Sequence, residues 1–517
     1  MKHSLVKFTV IMIVCLMASP VAAAKTLLYV PIDDRPVNYA YPAQTIQAAQ
    51  DNIILPPPEY LSGLYREGSP EKLWEWIMTN ADKADALVLS ADAVLYGGLV
   101  DSRTHEYGPA ILEQRFNQFT KLKQSHPNIP LYVFSTIMRS PQASGGALEP
   151  RYYKRFGGDI YKYMALQEKD ELEGLTSAET ERLAALTASI PPDVLSDWLD
   201  RRQKNFRNNS QLIHLVRSQV LEYLIIGRDD TAYYSRSHKE GRLLKAAASG
   251  LTDSKFLTFP GADQLGMTLL ARAYNNLHGL TPTVASYYAL GPEAATIPRY
   301  EDQPFGQTIA SHIVAAGGKP VSDPAVADLI LAVNTPVTPI TEEAESVDNF
   351  PVVTDFTRQF VSYIERSIDS GKAVAIVDVA FANGSDNSLL DELSRRRLLD
   401  KVSAYSGWNT ASNTLGYSIG QGMLASSMRD NDRKRLLAIR YLDDWAYQAN
   451  IRPGVYLSLP NSEYYGLRYL SHPTPEAQQL TQTELRRFAA EHLWIRPDSI
   501  TVDFPWDRLF EIEVSLK

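Results

Sequence analysis

Two pairs of adjacent aspartates, Asp33-Asp34 and Asp229-Asp230, each follow a short apolar run. Neighbouring carboxyl groups can differ in proton affinity. The charge of one, or its own burial, raises the pKa of the other and lets it act as an acid at neutral pH. Cleavage of a glycosidic bond usually needs one carboxyl as acid and a second as nucleophile or base. In substrate-assisted enzymes the second carboxylate instead orients an acetamido group of the substrate, which itself attacks. Asp229-Asp230 suits such a catalytic pair, with Asp229 as the orienting group and Asp230 as the acid, or the reverse.

Further polar residues follow other apolar runs, and these are the candidate substrate-binding groups. They are Asp33, Asp34, Arg35 and Asn38, then Asp92, Arg139, Asp263, Asn334, Asn383, Trp408 and Asn409. Asparagines can bond sugar hydroxyls or an amide, and an indole can stack on a sugar face. Each residue also has a bland role. An aspartate after a strand is often a helix cap or turn residue. Asp263, just before Leu265, fits a cap; Asp92 fits support of the Gly97-Gly98 turn; Trp408 fits a core aromatic. Capping alone, however, does not require paired carboxylates at two strand ends beside Arg, Asn and Trp.

Two other functions use the same residues. Asp33, Asp34, Asp229 and Asp230 can hold a hard cation in a metal-dependent hydrolase. Yet there is no Asp-x-Asp-x-Asp loop, and none of the nine histidines forms a His-x-His or His-x-x-x-His pair, so no metal is expected. The third reading is a non-catalytic periplasmic carbohydrate-binding protein. A phosphate loop and a Gly-x-Gly-x-x-Gly after the first strand are both missing, so no cofactor is expected. No Lys/Arg stretch is dense enough for a nucleic-acid footprint. The expected partner is a small-molecule or oligosaccharide substrate, and the oligomeric state is open.

Eight apolar runs precede these groups: Thr26–Ile32, Ala86–Ser90, Leu131–Ile137, Tyr223–Ile226, Phe256–Phe259, Thr283–Leu290, Asp328–Val333 and Ala373–Val379. They are continuous rather than alternating, as in strands buried on both faces. Amphipathic segments between them imply a parallel sheet. The expected fold is α/β, a (β/α)8 barrel-like sheet over residues 25–420, with a doubly wound open sheet as the alternative. A helical insertion is expected at about 165–222. Residues 421–517 read as a mostly helical C-terminal extension, helical over 421–449 and 475–492 and ending in a strand at Ile500–Phe504. No internal repeat is visible.

The chain has 517 residues, 51 basic and 60 acidic, and one cysteine, Cys15. That excludes a disulfide scaffold, a cysteine zinc site and a thiol nucleophile. Cys15 lies in a leader: Lys2 and Lys7, an apolar run over Val10–Met17, then Ala22-Ala23-Ala24. This is the pattern of a secretory signal over residues 1–24, and its apolar run is too short to span a membrane comfortably. Its removal takes two lysines and no acids, moving the formal charge from −9 to −11. The mature protein is expected to be secreted or periplasmic, with no membrane association.

Several motifs resemble the bacterial family catalogued as domain of unknown function 4127. They are Pro31 to Asn38, Tyr96-Gly97-Gly98-Leu99-Val100 with Ser102-Arg103, Gly227 to Asp230, Pro260 to Asp263, Gly407 to Gly416, and Pro505-Trp506 with Arg508, Phe510 and Glu511. The resemblance covers nearly the whole mature chain and carries no established activity. It implies an acidic residue after Asp263, where this chain has Gln264. A looser, fold-level similarity is to barrel hexosaminidases with a double aspartate after the fourth strand.

Overall fold

The structure is a computed structural model that describes residues 23–142, 148–288, 293–337, 341–459 and 472–517. The expected leader, residues 1–24, lies outside the described residues apart from its last two. Among the described residues no helix is long and apolar enough to cross a membrane.

All eight apolar runs form strands. In chain order the strands are β1 (Thr26–Val30), β2 (Asn52–Ile54), β3 (Ala86–Ser90), β4 (Leu131–Ile137), β5 (Tyr223–Arg228), β6 (Phe256–Pro260), β7 (Thr283–Tyr288) and β8 (Lys319–Pro320). They continue with β9 (Leu329–Asn334), β10 (Glu342–Glu343), β11 (Ala373–Asp378), β12 (Phe381–Ala382), β13 (Ala404–Ser406), β14 (Ile500–Asp503) and β15 (Glu513–Leu516). The fold is α/β, and its two large sheets are parallel. One has six strands in the order β2-β1-β3-β4-β5-β6, the other five in the order β13-β11-β9-β7-β8.

Neither sheet closes on itself. Each starts at an inner strand, steps out to one edge, then crosses back over and proceeds the other way. This is the doubly wound topology, and it occurs twice. The order reverses at β1/β3 and at β7/β9, the places where open α/β sheets bind ligands beyond the strand carboxyl ends. The eight runs are thus shared between two sheets that do not close, six strands before the Leu265–Leu277 helix and five after it.

That helix lies against β3 and β4 and packs on the Ala411–Leu424 helix, which covers β9, β11 and β13 of the second sheet. One apolar core fills this middle layer, from Leu27, Tyr29, Val88 and Phe134 on the first sheet to Leu331, Val333 and Val377 on the second. The opposite faces have cores of their own, Leu28, Val30, Leu87 and Ile226 on one, Ile330, Ala332 and Ile376 on the other. Burial on both faces is why these strands are continuously apolar.

Between β4 and β5 stand three helices, Tyr153–Leu172, Ser177–Ser189 and Pro192–Arg217. After β13 come Ala411–Leu424, Asp430–Arg440, a π-helix over Tyr441–Ile451, Arg452–Ser458 and Pro475–His492, then the antiparallel β14–β15 pair. The segment joining β14 to β15 runs back across the carboxyl end of β1.

Candidate active site

The chain leaves β1 through Pro31-Ile32 and turns at Asp33, whose side chain is buried. Arg35 folds back on this turn. Its guanidinium donates to Asp33 from Nε at 3.0 Å and from Nη2 at 2.7 Å, and to Asp263, beyond β6, from Nη2 at 2.5 Å. Asn38 donates to Asp33 at 2.8 Å, and Asn409, beyond β13 of the other sheet, donates to Asp263 at 3.3 Å. Tyr417 donates to the Asp263 carbonyl at 3.1 Å. Glu511, on the C-terminal segment, lies 3.7 Å from Arg35.

A second group sits at the ends of β4 and β5. Arg103 donates to Asp229 at 2.6 Å, and Arg139 donates to Asp230 at 2.8 Å and to Glu149 at 2.6 Å. Glu149 also lies 3.7 Å from Arg103, so it sits between both arginines. The two groups are electrostatically joined, because the charge of Asp263 reaches Asp229 and that of Asp33 feels Asp263.

Burial raises the proton affinity of Asp33, and Arg35 pulls it back. Burial also raises Asp229; Arg103 opposes, while Asp230 and Asp263 push further up. Burial disfavours the charge on Arg35, but Asp263 and Asp33 outweigh it and hold the guanidinium charged. Asp92 accepts from the Thr136 amide at 2.8 Å and its hydroxyl at 3.0 Å, tying the ends of β3 and β4 together, and burial pushes it up to about 7. Asp34 turns to Arg66 at 2.5 Å and to the Trp506 indole at 2.7 Å; burial pushes it up to about 6.

Asp33, Arg35, Asn38, Asp263 and Asn409 therefore meet directly, with Asp229, Asp230 and Arg139 beside them. Several expected roles change. Asp263 caps nothing: Gln264 holds the N-cap position of the next helix without a side-chain bond, and Asp263 is committed to Arg35. The Asp92 carboxyl serves strand β4, while its carbonyl accepts from the Gly97 amide at 3.1 Å and so also supports the Gly97-Gly98 turn. Trp408 is 2% exposed in the middle core, with its ring against Tyr417 and Phe510, so it offers no face to a sugar. Asn334 bonds Asp378 and Asp386, each at 3.0 Å, at the carboxyl end of the central strand of the second sheet and not in the aspartate cluster. Asn383 bonds Glu343 at 2.6 Å.

Arg103, Glu149, Trp506, Arg508 and Glu511 were not among the expected site residues. Trp506 lies between two guanidinium groups, Arg35 at 4.7 Å and Arg508 at 4.9 Å. Arg103, Trp506, Arg508 and Glu511 sit within motifs visible in the sequence; Glu149 carries no such signal.

Residues 27–515 match the family model described as Protein of unknown function (DUF4127). The chain belongs to this family. The DUF4127 match begins in β1 and ends in β15, so both sheets and the returning C-terminal segment lie within one family unit. No curated protein and no solved structure matches the chain. The likeness to barrel hexosaminidases finds no support in these comparisons.

Proposed function

We propose that this DUF4127 member is an exported glycoside hydrolase whose carboxyl pair is Asp229 and Asp230. One observation carries the reading: two adjacent carboxyls at a strand end have unlike surroundings. Asp229 is buried, and its proton affinity is raised. The Asp230 side chain is 25% exposed and paired with Arg139. Environments that push two carboxyls apart assign the acid and its partner. Asp229 then protonates the glycosidic oxygen. Asp230, paired with Arg139, serves the anomeric carbon as nucleophile, or orients an acetamido group of the substrate. Arg103 and Arg139 fix the two carboxyls relative to each other.

A second reading, a non-catalytic periplasmic carbohydrate-binding protein, is favoured by the position of the site between the edges of two open sheets, a common place for a ligand cleft. The metal-dependent hydrolase has less support. Asp33 is committed to Arg35 and Asn38, Asp34 to Arg66 and Trp506, and among the described residues no three His, Cys, Asp or Glu side chains are grouped to hold a metal ion.

The test is turnover of an aryl-glycoside panel by the wild type and by Asp230→Asn. The expected loss in kcat is about 10²–10⁴-fold, with a thermal midpoint close to wild type. Unchanged turnover in the variant removes the catalytic assignment. Activity lost to EDTA and restored by a divalent cation favours the metal enzyme, and tight sugar binding without turnover favours the binding protein.

A further inference from the structure

Among the described residues, eight non-glycine residues have a left-handed backbone. Three of them, Gln50, Gln219 and Arg397, directly follow the helix C-cap residues Ala49, Ser218 and Arg396, the ordinary place for that conformation. The other five are Asp230 (φ 35°), Tyr300 (69°), Asn383 (60°), Asn409 (64°) and Asp507 (49°). All five lie in the loops around the candidate site. Aspartate and asparagine tolerate this region comparatively well; a tyrosine there is an outlier. Such strain persists where surrounding structure over-determines it, and it gathers at ligand sites.

Hydrogen bonds join four of these residues into a circuit. Thr231, next to Asp230, donates its amide to the Tyr300 carbonyl at 3.0 Å. The Tyr300 hydroxyl donates to Glu343 at 3.5 Å, and Asn383 donates its side-chain amide to the other Glu343 oxygen at 2.6 Å. The Asn383 backbone amide donates to the Asn409 carbonyl at 2.9 Å, and Asn409 returns to Asp263 at 3.3 Å. The circuit thus leaves the first sheet beyond β5, crosses the edge of the second, and comes back beyond β6.

We propose that the site continues onto the second sheet, where Tyr300, Glu343, Asn383 and Asn409 form a subsite for a second sugar unit. The substrate is then an oligosaccharide rather than a simple glycoside. This rests on the glycosidase reading above. The chemistry fits hydroxyl recognition: a carboxylate acceptor, two amides that both donate and accept, and a phenol beside them. The groups are reachable, since the Glu343 side chain is 30% exposed and Tyr300 and Asn409 are half-buried. Arg299 pairs with Glu343 from the solvent side at 3.0 Å. Glu343 is linked to Asp263 through Asn383 and Asn409, and to the Asp230 loop through Tyr300 and Thr231, and it bonds neither aspartate of the catalytic pair itself.

The experiment uses the full mature chain carrying Asp230→Asn, which binds without cleaving, on a glycan array of matched mono-, di- and trisaccharides. The disaccharide signal is expected to exceed that of its monosaccharide at least tenfold. Adding Glu343→Gln, or Asn383→Gly (which keeps the left-handed backbone), is expected to lower that ratio tenfold or more, with unchanged circular dichroism. Equal mono- and disaccharide signals, or a ratio that survives both substitutions, overturn the subsite alone. No signal from any sugar overturns the glycosidase reading as well, so the two failures are distinguishable.

Discussion

Arg35 lies between two buried aspartates, Asp33 and Asp263, with Glu511 beside it, and its charge offsets theirs. Removing one partner of such a buried pair typically costs about 3–5 kcal/mol, because the other charge stays buried. Asp92 shows the opposite situation: its carboxyl is buried and bonded to Thr136, with the charge of Asp229 nearby rather than a guanidinium. Its pKa in the folded chain, about 7, is above the ordinary aspartate value, so the protonated form is the one folding favours. Its contribution to stability is full below about pH 4 and is lost as pH rises through about 7. Asp92→Asn mimics the protonated carboxyl. Denaturant unfolding from pH 4 to 8 is expected to show the wild type losing stability relative to Asp92→Asn, and parallel curves exclude the assignment. At this scale the site was legible where polar residues directly follow strands, as at Asp33, Arg35, Asp229 and Asp263. Glu149 and Glu343 were not legible, because a loop carboxylate gains its role from a partner far away in sequence.

The π-helix Tyr441–Ile451 has no counterpart in apolar periodicity, which predicts only that 421–449 is helical. Its wider turn places Asp443, Asp444, Tyr447 and Gln448 where they reach two different loops. Asp444 accepts from the Gly407 amide at 2.8 Å, next to Trp408-Asn409, and lies 3.2 Å from Arg440. Tyr447 donates to the Leu509 carbonyl at 2.7 Å and Gln448 to the Phe510 carbonyl at 3.0 Å, both on the C-terminal segment. π-Helical turns are rare and recur near functional sites; here one element holds both loops that complete the site. Asp444→Ala strips the Gly407 amide of its acceptor and leaves Arg440 with Asp443 alone. Chemical denaturation is expected to show a loss of about 3–5 kcal/mol; a loss under 1 kcal/mol would mean the contact is dispensable.

At the level of the whole molecule, the strand runs were read correctly while their partners were not. Periodicity reports that a strand is covered on both faces, not which strand lies beside it. Short strands such as β8 and β13 also lack a run long enough to be noticed. The two sheets meet through two glycine-bearing helices. A Cβ at Gly416 would lie 2.4 Å from Gln264 Cβ, which is stiff and close to the backbone. Gly416→Ala should therefore push the helices apart and destabilise by about 1–3 kcal/mol. Gly454, also helical, has nothing within 4 Å of such an atom. There the same substitution should stabilise by roughly 0.5–1 kcal/mol. Thermal unfolding of both variants reads the contrast, and shifts of the same sign would mean the helix interface is looser than its geometry.

Trp506 and Glu511 come after both sheets in the chain, yet they touch the turn that follows the first strand, and Arg508 stacks on Trp506. The chain is made from its N-terminus, and early domains generally fold as they emerge. The first sheet can therefore assemble its strands while the segment that seals its carboxyl edge is still to come. Completion of the site is deferred until the segment after the second sheet has been made. A prematurely ended or clipped product would keep both sheets and lack the clamp over Arg35 and Asp34, so the order of manufacture itself withholds the finished site from an unfinished molecule.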